Sequence, residues 1–181
     1  MRRWPALEWA AECTKEGALA ELLAAGEQQT LQFFIVGLKR VSESTVDHQE
    51  LLYNASVLAH HAQVSTHSAV DLVTPATLAE VFDHFVLDTT LRADSEMMEA
   101  AGAQCLWLAG FFEDQLRRRH NIRWYAQLGV EFFQRAATLE HSPQRVRLLR
   151  AMAGRFEPWR QRHARLGREL RDQPFLLNPP Q

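Results

Sequence analysis

The chain has 181 residues, of which 46% are hydrophobic and 23% are charged, and its formal net charge is −2. This profile is that of an ordinary globular domain, so it argues against intrinsic disorder and favours one domain over two. The longest apolar run, CLWLAGFF, is well short of the roughly 20 residues that a membrane-spanning helix needs. Glu8 and Glu12 interrupt the segment that a secretory signal would keep apolar, so we expect a cytoplasmic protein that does not enter a membrane.

Apolar residues recur at intervals of three and four along the chain, which predicts helices and no strands. We expect an all-α, single-domain bundle of about six to seven helices over residues 1–172, with an irregular tail at 173–181. The predicted helices cover residues 5–25, 27–41, 47–66, 75–88, 94–119, 122–140 and 143–172. The clearest starts are Thr74-Pro75 and Ser142-Pro143, where a capping hydroxyl precedes a proline at the first helical position.

Histidines and carboxylates in the predicted helices 47–66 and 75–88 are the candidates for a metal or ligand site. His60 and His67 share a face with the apolar Tyr53 and Val57, and His61 turns away from that face. A column of Glu80, His84 and Asp88 follows in the next helix at i, i+4 and i+8. If these helices are antiparallel, the side chains form a mixed nitrogen and oxygen site, with Glu113 beside the same cavity. The alternative is a hydrogen-bonded core His60 and a solvated acidic column. No Glu-x-x-His pair of a carboxylate-bridged di-metal bundle occurs in the chain.

The predicted helix 94–119 has the most continuous apolar face in the chain and is expected to be the central core helix. Its stripe consists of Met98, Ala101, Cys105, Leu108, Phe112 and Leu116. The Cys105 thiol is therefore expected to be buried and inert. Gly102, Gly110 and Gly129 lie inside predicted helices, where each costs on the order of 1 kcal/mol relative to alanine. Close approach of neighbouring helices at these glycines would explain that cost.

The segment RRRHN closes this helix. Arg117, Arg118 and Arg119 fall in its predicted last turn, where positive charge complements the helix dipole, and Asn121 tolerates the left-handed conformation of a helix end. The segment is interpreted as a stop signal, and an anion-binding corner is the alternative.

The last predicted helix has the sharpest periodicity in the chain. Its apolar positions follow heptad spacing and form a narrow seam, packed either within the chain or between chains: Leu149, Met152, Phe156, Trp159, His163, Leu166 and Leu170. Arginines lie elsewhere on the surface of this helix, among them Arg150, Arg155, Arg160, Arg162, Arg165, Arg168 and Arg171. Pro158 is expected to kink or break the helix one turn before Trp159. A neutral, hydrogen-bonded His163 fits a dry seam, and a pH-sensitive association is the alternative.

The charge of the chain is unevenly distributed. Residues 1–100 contain 6 basic and 15 acidic residues, a net charge of −9, and residues 101–181 contain 14 basic and 7 acidic residues, a net charge of +7. The basic half can meet an anionic partner, the acidic half of its own chain, or the acidic half of a second copy. Nucleic-acid binding would use the arginines with Trp124, Tyr125 and Trp159 as stacking surfaces, but the slightly acidic chain argues against it.

Two blocks of the sequence carry a resemblance. AGAQCLWLAGFFEDQLRRRHNIRWYAQLGVEFFQRAA, with LLYNASVLAHHAQ upstream, resembles an uncharacterised group of bacterial cytoplasmic proteins over roughly residues 45–137. The shared features are a GFF helix, a short arginine run and a following aromatic helix that contains LG. The resemblance implies a bacterial, all-helical protein and transfers no activity, cofactor or catalytic residue.

The leading functional hypothesis is a non-enzymatic interaction or adaptor protein that binds a protein partner or a second copy of itself. Its expected contact residues are Arg117, Arg118, Arg119, Trp159, Arg162, His163, Arg165 and Arg168. The first alternative is a helical ligand- or metal-binding protein, or an enzyme, with a site between the helices at 47–66, 75–88 and 94–119. The second is a nucleic-acid-associated protein that uses the arginine-rich last helix.

Overall fold

The structure is a computed structural model that describes residues 26–42, 45–67, 94–117 and 121–172. These residues form helices and no strand, which confirms the all-α prediction. In chain order the helices are α1 (Glu27–Arg40), α2 (His48–His67), α3 (Ser95–Phe111), the single turn α4 (Glu113–Leu116), α5 (Ile122–Leu139), α6 (Pro143–Gly154) and α7 (Phe156–Asp172). Within these ranges no helix has the length and apolar character to cross a membrane. The predicted helices at 5–25 and 75–88, and the tail at 173–181, lie outside the described residues.

The chain divides into two compact units. The first comprises residues 1–74 and 165–181, and the second comprises residues 75–164, so the boundary falls within α7. A single domain over residues 1–172 stays a prediction.

In the first unit, α1 packs against α2 and the C-terminal part of α7 lies against α1. Leu38 of α1 and Leu51 of α2 are fully buried. Gly37 of α1 allows a close approach, because a Cβ atom at this position would lie 3.0 Å from Leu166 Cδ1. An ion pair at 2.8 Å joins Arg40 to Glu169 at the exposed rim of this contact.

In the second unit, α3 is the central helix, and its buried residues cover more than one face. It packs against α5, which in turn packs against α6. Cys105, Leu106 and Leu108 are fully buried in α3. The prediction of a central core helix is confirmed, and so is the prediction that Cys105 is buried. Burial raises the pKa of the Cys105 thiol to about 12.

Gly102, Gly110 and Gly129 of this unit lie at tight helix contacts, as predicted. A Cβ atom at Gly102 would lie 3.0 Å from the Phe133 ring, and one at Gly129 would overlap the Phe156 ring. A Cβ atom at Gly110 would lie 2.7 Å from His163 Cβ and 3.1 Å from the Arg160 carbonyl oxygen of α7. The conformational cost of glycine is thus offset by packing that a larger residue would prevent.

The predicted helix 94–119 is interrupted, and its predicted end is wrong. Phe112, with φ −103° and ψ 20°, separates α3 from the short α4, and Arg117 caps α4. Asn121 does not end a helix in the left-handed region. Its φ is −80° and ψ is 90°, and its side chain accepts a hydrogen bond from Trp124 N at 3.3 Å. Asn121 is therefore the N-cap of α5, a role in which asparagine is among the preferred residues.

The predicted helix 143–172 contains a break before Pro158. Helix α6 ends at Gly154, Arg155 has φ −114° and ψ 22°, and α7 begins at Phe156. A proline ring clashes with the carbonyl four residues before it in a continuous helix, which here is that of Gly154. The break at Arg155 removes this clash and places Pro158 in the first turn of α7, where a missing backbone N–H costs little.

The corner between α5 and α6 is stabilised by a carboxylate. Helix α6 begins at Pro143 after Ser142, as predicted, but the Ser142 hydroxyl makes no cap hydrogen bond. Glu140 Oε1 accepts instead from the backbone N–H groups of His141 at 2.7 Å and Ser142 at 2.9 Å. Glu140 Oε2 accepts from Arg145 Nε at 2.9 Å, and the same arginine pairs with Glu99 of α3. One cluster thus joins three helices of the second unit.

This cluster predicts that Glu140→Gln destabilises the protein near neutral pH and that the loss disappears in acid. The backbone hydrogen bond from Ser142, followed by the one from Arg145, lowers the pKa of the Glu140 carboxyl. A lowered pKa in the folded state means that the carboxylate stabilises the fold above its unfolded pKa of about 4.3. That contribution is lost as pH falls through the lower folded pKa. Thermal unfolding of both proteins between pH 7 and pH 3 measures the difference, and a gap in Tm that does not narrow towards pH 3 would contradict the assignment.

Candidate functional site: exposed arginines

The expected contact residues differ in their exposure to solvent. Arg117, Arg165 and Arg168 are exposed, while Arg118 and Arg119 lie outside the described residues. Arg162 is half-buried, with its guanidinium carbon 4.6 Å from the centre of the Trp159 ring. Arg165 also has an internal role, because its Nη1 donates a hydrogen bond to the Val41 carbonyl at 3.0 Å.

Two of the expected contact residues are in the interior. Trp159 and His163 both have 0% of their surface exposed, so their assignment to an interaction surface is wrong. The remaining seam positions from Leu149 to Leu170 are also buried, none with more than 5% exposed. The heptad seam therefore packs within the chain, and burial leaves it unavailable to a second copy. Tyr125 and Trp159 are equally unavailable as stacking surfaces for bases.

The histidine pair of α2 is oriented opposite to the prediction. His60 is exposed and is not a core residue, whereas His61 is half-buried and its ring centroid lies 5.6 Å from that of His60. Burial, together with repulsion from His60, lowers the pKa of His61 to about 3. His61 was expected to face away from Tyr53 and Val57 and to be exposed, but it is partly covered. The reason is that α2 has buried residues on more than one face.

The proposed metal or ligand site is only partly within the described residues. The side chains of His67, Glu80, His84 and Asp88 lie outside them. Among the residues that are described, no three histidine, cysteine or carboxylate side chains come together as a metal site.

Glu113, the remaining candidate ligand, is the ion-pair partner of Arg160 at 3.0 Å. Arg160, 9% exposed, also donates to the Ala109 carbonyl at 3.2 Å and to both carboxylate oxygens of Glu157 at 2.8 Å. The hydrogen bond from Arg160 is the main cause that lowers the pKa of the Glu157 carboxyl. The cluster satisfies a carbonyl left without its helical partner where α3 ends at the Phe112 break. Glu113 is thus a structural residue of this helix end.

Helix α6 contributes exposed arginines that were not among the expected contact residues. Arg145, Arg147 and Arg150 are exposed, and no acidic residue occurs between Pro143 and Gly154. Arg145 is engaged by Glu99 and Glu140. Arg147 and Arg150 lie three residues apart on one side of the helix. The sequence signal for this surface is a set of basic residues at helical spacing with no acidic residue among them, whereas the expected contact residues follow the heptad seam of α7.

No family model, no curated protein and no solved structure matches this chain. The resemblance to a bacterial group consequently stays a prediction.

Proposed function

We propose that this protein is a non-enzymatic interaction protein that associates with a second copy of itself through charged helix surfaces. The observation that carries the proposal is the opposite charge of the two halves of the chain, −9 for residues 1–100 and +7 for residues 101–181. Opposite charges on two parts of one chain make two copies complementary to each other, which favours association and fixes its orientation.

The exposed arginines of α7 support the proposal. Arg165 and Arg168 lie three residues apart, within one turn of the helix, and both are exposed. Because arginine presents five donors in a planar fork, it binds carboxylates with defined geometry. An acidic protein surface is therefore a suitable partner for this side of the helix.

The proposal predicts that association weakens with salt and with loss of the Arg168 charge. Arg168→Gln removes one exposed charge of α7 and keeps the hydrogen bond from Arg165 to the Val41 carbonyl. We expect the dissociation constant to rise about five- to tenfold in the variant, and to rise for the wild type between low and high salt. Sedimentation velocity over a concentration series, with native mass spectrometry for stoichiometry, measures both effects.

Two controls separate a local contact from a change in net charge. Arg168→Lys keeps the charge and is expected to retain most of the association. Gln32→Glu, at an exposed position of α1, changes the net charge by the same amount as Arg168→Gln and is expected to leave association intact. If the wild-type chain stays monomeric at every protein concentration and every salt concentration, the proposed function is wrong.

A further inference from the structure

Helix α6 has a charge arrangement that is unfavourable for its own stability. Arg145 lies in the first turn, near the positive end of the helix dipole, where an acidic residue would be favoured. Arg147 and Arg150 are spaced i, i+3, so their side chains are neighbours on the helix surface and repel each other. An acidic residue at helical spacing would relieve this repulsion, but α6 has none.

Among the residues that the structure describes, one of these three charges is compensated by ion pairs. Arg145 is drawn to the α5–α6 corner, where Glu140 and Glu99 neutralise it. No ion pair joins Arg147 or Arg150 to any acidic side chain in the parts of the chain that the structure describes. Both residues are exposed, and their guanidinium groups are accessible from solvent.

We propose that Arg147 and Arg150 form a docking surface for an acidic segment of a second copy of this chain. The inference rests on the proposed self-association and adds a second basic contact to the one that the exposed arginines of α7 provide. An acidic surface would offset the repulsion between the two arginines, so the arrangement that is unfavourable in the monomer becomes favourable in the complex. The acidic first hundred residues supply carboxylates of the required charge.

The double variant Arg147→Gln/Arg150→Gln tests the proposal, because stability and association are expected to change in opposite directions. At a concentration where the chain is monomeric, the Tm of the variant is expected to equal or exceed that of the wild type, since the repulsion is removed. Its dissociation constant for self-association is expected to rise at least about tenfold, and to depend less steeply on salt. Thermal unfolding and sedimentation velocity provide the two measurements.

The chain offers matched controls. Gln127→Glu/Gln134→Glu places the same change in net charge on exposed positions of α5 and is expected to leave association unchanged. Arg147→Lys/Arg150→Lys keeps both charges and is expected to retain most of the association of the wild type. Arg145→Gln removes a paired arginine and is expected to lower the Tm, which shows that the assay detects loss of an internal ion pair.

Each other outcome overturns the inference in a distinguishable way. If the monomeric double variant has a lower Tm than the monomeric wild type, the two arginines are paired within their own chain. Unchanged association of the variant, with a wild type that does associate, would refute this surface while the proposed function stands. A wild type that never associates would refute both proposals. If that monomer instead binds a short DNA duplex, and the double variant does not, the partner of this surface is a phosphate backbone.

Discussion

Gly110→Ala is expected to destabilise the protein by about 2 kcal/mol and to lower its Tm by about 5 °C. A Cβ atom at this position would lie 2.7 Å from His163 Cβ and 3.1 Å from the Arg160 carbonyl oxygen. These atoms belong to, or are next to, the backbone of α7, so a side-chain rotation cannot relieve the overlap and the helices must separate. The cost of separation exceeds the roughly 1 kcal/mol that alanine adds to helix stability over glycine.

A second glycine provides the control for this prediction. Gly154→Ala, at the exposed end of α6, meets nothing within 4 Å and is expected to leave the Tm unchanged or slightly raised. Chemical denaturation of the three proteins gives the free energies of unfolding. If Gly110→Ala were as stable as Gly154→Ala, the close contact between α3 and α7 would be refuted.

Arg160→Met is expected to lower the free energy of unfolding by about 2–4 kcal/mol. Methionine retains the apolar stem of the side chain but leaves the Glu113 carboxylate and the Ala109 carbonyl without the guanidinium that binds them. The Glu113 side chain is 20% exposed, so its charge stays poorly hydrated once the partner is removed.

The pairing itself is tested by a double-mutant cycle. Adding Glu113→Gln to Arg160→Met is expected to recover part of the lost stability, because a neutral amide tolerates this environment better than an unpaired carboxylate. Arg40→Met provides the contrast, since its ion pair with Glu169 is exposed and such pairs contribute at most about 1 kcal/mol. Equal losses for Arg160→Met and Arg40→Met would show that burial adds nothing to the Arg160 cluster.

The helical architecture and the location of the core follow from the sequence, because both depend on local periodicity. The stripe from Met98 to Leu116 identified the core helix, and the isolated glycines at 102, 110 and 129 indicated where neighbouring helices approach. Cys105 was also correctly predicted to be buried. In each case the signal lies in the spacing of residues along one helix, which fixes the face they share before any partner is known.

The helix ends within the segment from Phe111 to Asn121 depended on tertiary contacts. Apolar periodicity continues through Phe112, so the sequence shows no reason for the break between α3 and α4. The structure places Arg160 at this point, where it binds the Ala109 carbonyl and Glu113 from a helix about fifty residues away in sequence. The role of Asn121 was missed for a different, local reason: asparagine suits a helix start as well as a helix end, and here it caps the start of α5.

The sequence by itself determined an all-α chain, its core helix and the uneven distribution of charge between its halves. Only the tertiary structure decided which arginines are structural and which are exposed. Arg160, Arg145 and Arg150 carry the same charge within one stretch of the sequence. Arg160 is buried against Glu113, Arg145 is held by Glu99 and Glu140, and Arg150 is exposed. The physical reason is that a charge on a helix is neutralised by whichever carboxylate the fold brings near it, and Glu99 and Glu113 are more than forty residues away in sequence.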